Sequence, residues 1–418
     1  MRLQRPFRHV NSREWVNLAV AAVLVFYVAQ IALDLVWGTV CGHIAADYCA
    51  TWATARIANT LGYSRIYDVQ LIATIERSLF PTGADPALFV ATPSPYLAIF
   101  VPLFQPFALL PPAAGYILWT LLNVSALLLY LRFLGSKLAG RPPSTRFLVL
   151  IMASLPVFFT VFYGNAAVWL MICVGEFLRA MVSGHEIRAG LWLGGLMLKP
   201  PLLVLLGLVL LAQRAYRVLA SLSASSGAMI GATYLIVGPA GFAQMLAIWG
   251  RSTVGQPSDG VESMMNWRML AANLSPFTSS WAAWGLAAVG MVLTLAIALR
   301  VWRRQPDPAS DAFPVAYSGI FAATTVVAWH SHVHTAVVLI PALMVLHERK
   351  ILPQWLLYAW CVAPALLFIA ILLPENLIRL NLLPNSAMHL VFLMRGGGEL
   401  GVSLLVFLWA ARRATLGP

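Results

Sequence analysis

The sequence predicts an all-α integral membrane protein that crosses the bilayer many times. Hydrophobic residues make up 60% of the 418 residues, charged residues make up only 10%, and the mean hydropathy is +0.81. A soluble domain usually carries about 25% charged residues. The apolar residues also recur in runs of about 17 to 25 residues between charged or Pro/Gly breaks, which is the length that a helix needs to span the hydrocarbon core.

These runs predict about twelve transmembrane helices. The first run is too long for a signal-peptide core and has no small-residue cleavage site after it, so we expect it to remain as a helix. The predicted spans are residues 15–37, 93–111, 113–134, 147–163, 166–182, 188–211, 217–238, 281–301, 313–329, 333–347, 352–373 and 388–411.

The net charge of +12 comes from 27 Lys and Arg against 15 Asp and Glu. Most basic residues lie in short connectors, as the positive-inside rule predicts, and both termini are therefore expected in the cytosol. Nucleic acid is not an expected partner, because the charge follows topology. The basic connector 135–146 is an exception: strict alternation places it outside, unless span 93–111 or span 147–163 does not cross fully.

We divide the chain into a cytosolic tail (1–14), a catalytic membrane region (15–345) and C-terminal transmembrane helices (346–418). The catalytic region includes two long loops, 38–94 and 239–280, which are both predicted to be exported.

The first exported loop is predicted to form amphipathic helices around 46–61 and 68–80 that lie on the membrane surface. Cys41 and Cys49 fall in this loop, and a disulfide between them stays open at this stage, because a helix from residue 45 onward would place a rigid turn between them.

Asp47 is the main candidate for chemistry, since a carboxylate directly after the first membrane helix can act as a general base where water meets lipid. Alternatively, Asp47 caps the helix that carries Thr51. Asp34 is a rival, because it lies about one turn inside the first span, where an ionisable group is costly and often functional. Arg65 is a secondary candidate for a phosphate contact in an otherwise structural Gly-Tyr segment.

Lys199 lies in the middle of an apolar run and is followed by two prolines. A buried ammonium group needs an anion or a wet cavity, and a lipid phosphate would serve. The alternative is a lysine that extends to the membrane interface. Asn165, in a Gly-Asn break between two apolar runs, is either a polar contact of the site or a turn residue.

Three histidines alternate in His330-Ser331-His332-Val333-His334. No acidic or thiolate ligand accompanies them, so we predict no metal site and expect His332 and His334 to contact phosphate or sugar. In the second loop, Arg251, Trp267 and Arg268 suit phosphate pairing and sugar stacking, and they suit anchoring to lipid headgroups equally well. No phosphate-binding glycine loop is found, and no cofactor is expected.

The order of these motifs resembles glycosyltransferase family 87, within the GT-C class of integral-membrane glycosyltransferases. The resemblance covers residues 30–345. In two places the chain differs from many relatives, with Asn165 in place of Gln and Thr335 in place of an acidic residue. The residues that carry the resemblance are Asp47-Tyr48, Gly62, Tyr67-Asp68, Pro102-Leu103, Leu110-Pro111, Trp119, Gly164-Asn165, Gly190, Gly194, Lys199-Pro200, Gly238-Pro239, Asn266-Trp267-Arg268, His332, His334 and Pro341.

The resemblance implies a GT-C fold and transfer of a sugar, with mannose or another hexose expected, from a polyprenyl-phosphate donor to a hydroxyl of a glycan or glycolipid. It implies that Asp47 is the catalytic base and that His334, or His332, assists at the donor phosphate. The implied reaction inverts the anomeric carbon, needs no metal, and takes place at the outer face of a bacterial inner membrane. A transporter or flippase for lipids or small solutes is the alternative, although no pair of interrupted helices recurs in two halves of the chain.

Overall fold

A computed structural model describes residues 12–79, 93–254 and 260–416. Most of the predicted basic tail, residues 1–11, lies outside the described residues, as do residues 80–92 of the first long loop and 255–259 of the second. In the described ranges the chain forms helices and no strand, with two isolated β-bridges, which confirms the all-α prediction. The α-helices are α1 (Ser12–Val36), α2 (Ala46–Leu61), α3 (Val69–Leu79), α4 (Pro112–Leu138), α5 (Thr145–Met152), α6 (Leu155–Phe162), α7 (Ala167–Val182), α8 (Glu186–Gly194), α9 (Leu202–Ala212), α10 (Tyr216–Val254), α11 (Trp267–Leu274), α12 (Ser280–Val301), α13 (Ala312–Val327), α14 (Ile340–Glu348), α15 (Gln354–Arg379) and α16 (Ala387–Leu416).

Six of the described helices are long and apolar enough to cross a membrane: α1, α4, α10, α12, α15 and α16. A seventh crossing is formed if α5 and α6, which bend by 59° at their junction, count as one span. The helices α9 and α13 and the stretch Val333–Glu348 are apolar but shorter. The protein is therefore a multi-pass membrane protein, with fewer long spans than the twelve expected, because several apolar runs are broken.

The apolar run 93–111 does not form a membrane-length helix. It contains only two short 3₁₀ helices, Ala98–Leu103 and Phe107–Leu109, because its prolines cannot continue an α-helix. The run instead lies along α2, where Trp52 Nε1 donates to the Leu110 carbonyl at 3.1 Å and Asn59 Nδ2 donates to the Gln105 carbonyl at 3.1 Å. We call this end of the helix bundle, where α2 lies, the site face.

The run 188–211 also differs from the prediction of a single span. Helices α8 and α9 form a hairpin whose tip is Lys199-Pro200-Pro201. The two ends of the hairpin lie on the same side of the bundle: Glu186, at the start of α8, is 4.0 Å from Arg217, only a few residues beyond the end of α9. The hairpin tip therefore points toward the site face, and the chain returns without crossing.

The basic connector 139–144 lies at the opposite end of the bundle, beside the end of α14. Arg141 donates to the Glu348 carbonyl at 2.6 Å, and the Ser144 backbone N–H donates to the Glu348 carboxylate at 3.0 Å. Arg349 donates to the Leu138 carbonyl at 2.9 Å. We call this end the opposite face. The segment 93–111 does not cross, so the connector shares a face with the basic residues at 349 and 350 and no longer conflicts with the positive-inside rule.

The two predicted helices of the first long loop are confirmed as α2 and α3. Helix α2 is largely buried in protein. Cys41 and Cys49 form a disulfide that ties the preceding turn to α2, with their Cα atoms 5.6 Å apart. The second loop is largely helical: α10 continues past a kink at Gly238-Pro239, where Gly238 has a φ of 73°, and α11 follows.

Candidate active site

A cavity of about 870 Å³ opens between the elements at the site face. Its wall is formed by α2, the segment 93–96, the turn between α6 and α7, the hairpin tip, the end of α10, the turn 328–334 and α16. Six of the predicted site residues line this cavity: Asp47, Asn165, Lys199, Arg251, His332 and His334. The fold therefore brings together residues that are far apart in sequence.

Asp47 lies in the first turn of α2 and accepts a hydrogen bond from Asn165 Nδ2 at 2.7 Å. Two backbone hydrogen bonds hold the elements of this pair together. The Ala45 N–H donates to the Phe162 carbonyl at 2.8 Å, and the Tyr48 N–H donates to the Tyr163 carbonyl at 2.9 Å. The turn between α6 and α7 thus satisfies N–H groups at the start of α2 that have no partner within the helix.

Gly164 allows this contact. Its φ of 66° is in the left-handed region, and a Cβ at this position would collide with the Cβ of Tyr48. The Gly164 carbonyl also accepts a hydrogen bond from Trp119 Nε1 at 2.8 Å. The Gly-Asn pair therefore serves both as a turn and as part of the site. Gly164 permits the close approach of the turn to α2, and Asn165 donates a hydrogen bond to Asp47.

The capping alternative for Asp47 is not what the structure shows. The N-cap residue of α2 is Ala45, and no side chain caps the helix. Burial raises the pKa of the Asp47 carboxyl above its ordinary value of 3.8, while the hydrogen bond from Asn165 and the positive charge of Lys199 lower it. The net increase makes Asp47 a stronger base than an exposed aspartate, and it is open to the cavity.

Tyr96 lies on the same side of the cavity, and the sequence analysis did not select it. After burial, the nearby Asp47 carboxylate is the next influence that raises the pKa of Tyr96, while the Asn165 side chain and the Ala166 backbone lower it. Burial raises the pKa of Tyr96, so its hydroxyl stays protonated and can donate a hydrogen bond to a ligand. Its position after Pro-Ser-Pro, just beyond the first long loop, was the one signal in the sequence.

Lys199 occupies the tip of the α8–α9 hairpin, where the two prolines that follow it end one helix and begin the next. Its ammonium group donates to Nε2 of His334 at 3.2 Å. Lys199 and Asp47 therefore place opposite charges on one cavity, and His334 fixes the position of the lysine.

His332 and His330 also line the cavity, from the turn before the 3₁₀ helix Val333–Leu339. The turn is attached to the segment that precedes α11, since the Met265 backbone N–H donates to the Ser331 carbonyl at 2.9 Å. Burial, with the positive charges of Lys199 and Arg268, lowers the pKa of His330 to about 3, and the pKa of His332 is also well below its usual range, chiefly through burial. Both imidazoles are neutral at physiological pH and can only offer hydrogen bonds.

Of the predicted site residues in the second loop, Arg251 lines the cavity, whereas Trp267 and Arg268 lie outside its lining. Arg251 is exposed and lines the cavity. Arg268 is buried beside the cavity, with its guanidinium 4.6 Å from the centroid of the Trp329 ring, which does line the cavity. Trp267, the first residue of α11, packs against α12, where its Nε1 donates to Thr294 Oγ1 at 3.2 Å. Asn266, which precedes them, caps α11 by accepting from the Met269 N–H at 2.9 Å.

Asp34 and Arg65 do not line the cavity. Asp34 is buried at the end of α1, and its carboxylate accepts from Thr39 Oγ1 at 2.6 Å and contacts His43 Nδ1 at 2.7 Å. Arg65 pairs with Asp68 at 2.8 Å on the surface. Both interactions join residues at or within the first long loop, so these two secondary candidates have structural contacts in the fold.

No three His, Cys, Asp or Glu side chains in the described ranges are grouped in a way that could hold a metal ion.

The sequence profile described as Glycosyltransferase family 87 matches residues 96–326, more than half of the chain. The chain belongs to glycosyltransferase family 87. It is therefore a membrane glycosyltransferase, and the expected family is confirmed. No curated protein and no solved structure was found to match the chain.

The matched range includes one part of the cavity of this family 87 enzyme and leaves out another. Asn165, Lys199 and Arg251 lie inside the range, whereas Asp47, His332 and His334 lie outside it. The roles of individual residues therefore depend on the geometry of the cavity.

Proposed function

We propose that this family 87 enzyme transfers a hexose, with mannose as the first candidate, from a polyprenyl-phosphate donor to a hydroxyl of a glycan or glycolipid acceptor. The observation that carries the proposal is the pairing of a carboxylate with cations in one cavity: Asp47 on α2 opposes Lys199 on the hairpin tip. A transfer from a phosphate leaving group needs both, a base for the incoming hydroxyl and positive charge for the departing phosphate.

In the proposed reaction, Asp47 removes the proton of the acceptor hydroxyl as its oxygen attacks the anomeric carbon. The bond between that carbon and the phosphate oxygen breaks, and the electron pair leaves with the polyprenyl phosphate. Lys199 and Arg251 neutralise the leaving phosphate, while neutral His332 and His334 supply hydrogen bonds. The base and the leaving group lie on opposite sides of the sugar, so the configuration inverts. No metal is needed in this scheme.

The apolar part of the cavity supports a lipid-linked donor. Leu198, Pro200 and Val204 from the hairpin line it. Val204 is also 64% exposed, and Leu208 and Leu211 continue the same exposed apolar face of α9 at helical spacing. This face can hold the isoprenoid chain against the bilayer, while the phosphate and sugar enter the polar part of the cavity.

The disulfide supports an outward-facing site. Cys41 and Cys49 flank Asp47 in sequence, and disulfides persist in oxidising compartments such as the bacterial periplasm rather than in the cytosol. We therefore propose that the site face lies at the outer side of the inner membrane and that the opposite face, with its basic connectors, lies in the cytosol together with both termini.

A panel of labelled donors tests the donor class. Membranes that contain the protein are incubated with polyprenyl-phosphate mannose, other polyprenyl-phosphate sugars, and the corresponding nucleotide sugars, beside membranes that lack it. We expect a new labelled product with at least one polyprenyl-phosphate hexose and with no nucleotide sugar when lipid-linked sugar synthesis is blocked. Transfer directly from a nucleotide sugar would contradict the proposal.

A further inference from the structure

The C-terminal helix α16 brings one more cation to the cavity. Arg395 lines the cavity wall and is only 9% exposed. It lies beyond the matched range 96–326 and in the C-terminal region 346–418, for which the resemblance supplies no motif. The roles proposed above leave this side chain without a task.

Arg395 has aromatic neighbours and no anionic partner. Its guanidinium lies 5.0 Å from the centroid of the Phe392 ring and 5.8 Å from that of Phe159. None of the ion pairs formed by the described residues involves Arg395. Glu399, one turn further along α16, forms no ion pair with Arg395, and its buried carboxylate oxygens accept no hydrogen bond from the described residues. A buried cation with no counter-charge is unfavourable unless a ligand supplies the charge.

The backbone next to Arg395 is built for close packing. Gly396 lies against the Met264 carbonyl, where a Cβ would collide with the carbonyl oxygen. Met264 forms an isolated β-bridge with His332, so this contact holds α16 against the turn that carries the cavity histidines. Arg395 lies near enough to His332 for its charge to influence that imidazole. The first glycine of Gly396-Gly397-Gly398 therefore positions Arg395.

The other cations of the cavity differ from Arg395. Lys199 has His334 and the charge of Asp47 as neighbours, and Arg251 is exposed. Arg395 is buried and faces the cavity with a planar group of five N–H donors. That geometry matches two oxygens of one phosphate, which a lysine cannot match.

We propose that Arg395 binds the phosphate of the ligand in this cavity through paired hydrogen bonds. The inference rests on the proposed function for the identity of that ligand, a polyprenyl phosphate, but the binding of a phosphate does not depend on sugar transfer. Arg395 is thus a donor-binding residue contributed by the last helix of the chain.

The test measures binding without transfer. The purified full-length protein is titrated with a polyprenyl phosphate that carries no sugar, and equilibrium binding and thermal unfolding are recorded for wild type, Arg395→Gln and Arg395→Lys. Arg412→Gln is the matched control, since Arg412 is exposed near the far end of the same helix. Inorganic phosphate and a short-chain phosphatidic acid form separate arms, so that a free phosphate and a different lipid phosphate are distinguished from the donor lipid.

We expect Arg395→Gln to weaken binding of polyprenyl phosphate about tenfold to a hundredfold, as for loss of a charge-assisted hydrogen-bonded pair. Arg395→Lys should recover part of this loss, and Arg412→Gln should bind as wild type does. Without ligand, Arg395→Gln should unfold at a higher temperature than wild type, since it removes a buried charge. A purely structural role in packing on Phe159 and Phe392 predicts the opposite shift.

Unchanged binding in a folded Arg395→Gln protein would overturn the inference. It would leave the proposed transferase function intact if Asp47→Asn is inactive but still binds polyprenyl phosphate. Arg395-dependent binding of phosphatidic acid, with none of polyprenyl phosphate, would keep the phosphate site and overturn the donor class. A wild-type protein that binds none of the three phosphates would overturn both.

Discussion

Asp47 is a stronger base than an ordinary aspartate because its neighbours act in opposite directions. Burial raises its pKa, and the hydrogen bond from Asn165 and the charge of Lys199 lower it. A general base must be ionised at the working pH and must still hold a proton well, so a pKa above that of an exposed aspartate suits this role. Asn165 is the neighbour that can be removed without changing the net charge of the cavity.

Asn165→Ala should move the acid side of the pH–activity profile to higher pH. Below its pKa the carboxyl is protonated and cannot accept the proton of the acceptor. Loss of a hydrogen bond that favours the ionised form raises that pKa further. Initial transfer rates between pH 4 and 9 measure the shift. Asn59→Ala, an exposed change on α2 outside the cavity, is the control. An unshifted profile would contradict the proposed pairing of Asn165 with the catalytic base.

Asp47 and Lys199 could be predicted from the sequence, because an ionisable residue in an apolar chain is rare, costly and often functional. Tyr96 and Arg395 were missed for different reasons. A tyrosine near a membrane interface is common, and a lone arginine near the start of a helix resembles a headgroup anchor. Whether each faces a cavity depends on helix packing that no local pattern contains. Asp34 and Trp267 are the opposite case: the sequence selected them as site candidates, but the fold places them outside the cavity with other partners.

At the scale of the elements, the short turn between α6 and α7 fixes the position of α2 and of Asp47. It accepts hydrogen bonds from the start of α2, and Gly164 lies against Tyr48. The sequence showed a polar break at Gly164-Asn165 between apolar runs, but not which helix the break would contact.

Gly164→Ala should reduce transfer strongly, by about tenfold or more, because the new methyl group would push α2 away and separate Asp47 from Asn165; a misplacement of about 1 Å can cost a hundredfold. Gly184→Ala is a matched control. Gly184 has a similar φ of 73° but open space around its Cβ, so it carries the backbone strain without the collision. We expect both variants to unfold at a lower temperature and only Gly164→Ala to lose activity. Equal activities would contradict the role of this close contact.

The hairpin of α8 and α9 shows a limit of reading spans from hydropathy. Its apolar run is as long as a transmembrane helix, and only Lys199-Pro200-Pro201 marks the reversal. Two prolines can either kink a helix or end it, and tertiary packing decides which of the two occurs. Here Gly190 and Gly194 let α8 lie directly against Ser221 and Ser225 of α10, which favours the hairpin.

At the scale of the whole molecule, the fold changes the expected topology twice. The segment 93–111 stays at the site face, and the hairpin returns to the face from which it came. The two changes together remove two of the expected crossings, which is an even number, so the expectation that both termini lie on one side stays a prediction. The all-α class and family followed from composition and motif order, whereas the path of these two segments depended on tertiary contacts.

Cysteine labelling in intact cells tests this topology. Pro142→Cys lies in the basic connector at the opposite face, and Ser280→Cys lies at the site face, and both positions are exposed. We expect a membrane-impermeant maleimide to label Ser280→Cys in intact cells and Pro142→Cys only after lysis. The buried Cys361 and the bonded Cys41 and Cys49 should give little background, and the half-buried free Cys173 is replaced by alanine in both variants. Labelling of Pro142→Cys in intact cells would place the connector outside and contradict the two non-crossing segments.

We propose that sugar transfer takes place in the cavity between Asp47 and Lys199, and the assignment of Asp47 as the base is the central hypothesis. The most direct measurement is the initial rate of transfer by purified wild type, Asp47→Asn and Asp68→Asn with the donor found active in the panel. Asp68 is the control, because it lies in the same loop outside the cavity and asparagine can also accept the Leu71 N–H. We predict a loss of about 10²- to 10⁴-fold in kcat for Asp47→Asn, with donor binding retained, and no loss for Asp68→Asn. Near-wild-type turnover by Asp47→Asn would contradict the account.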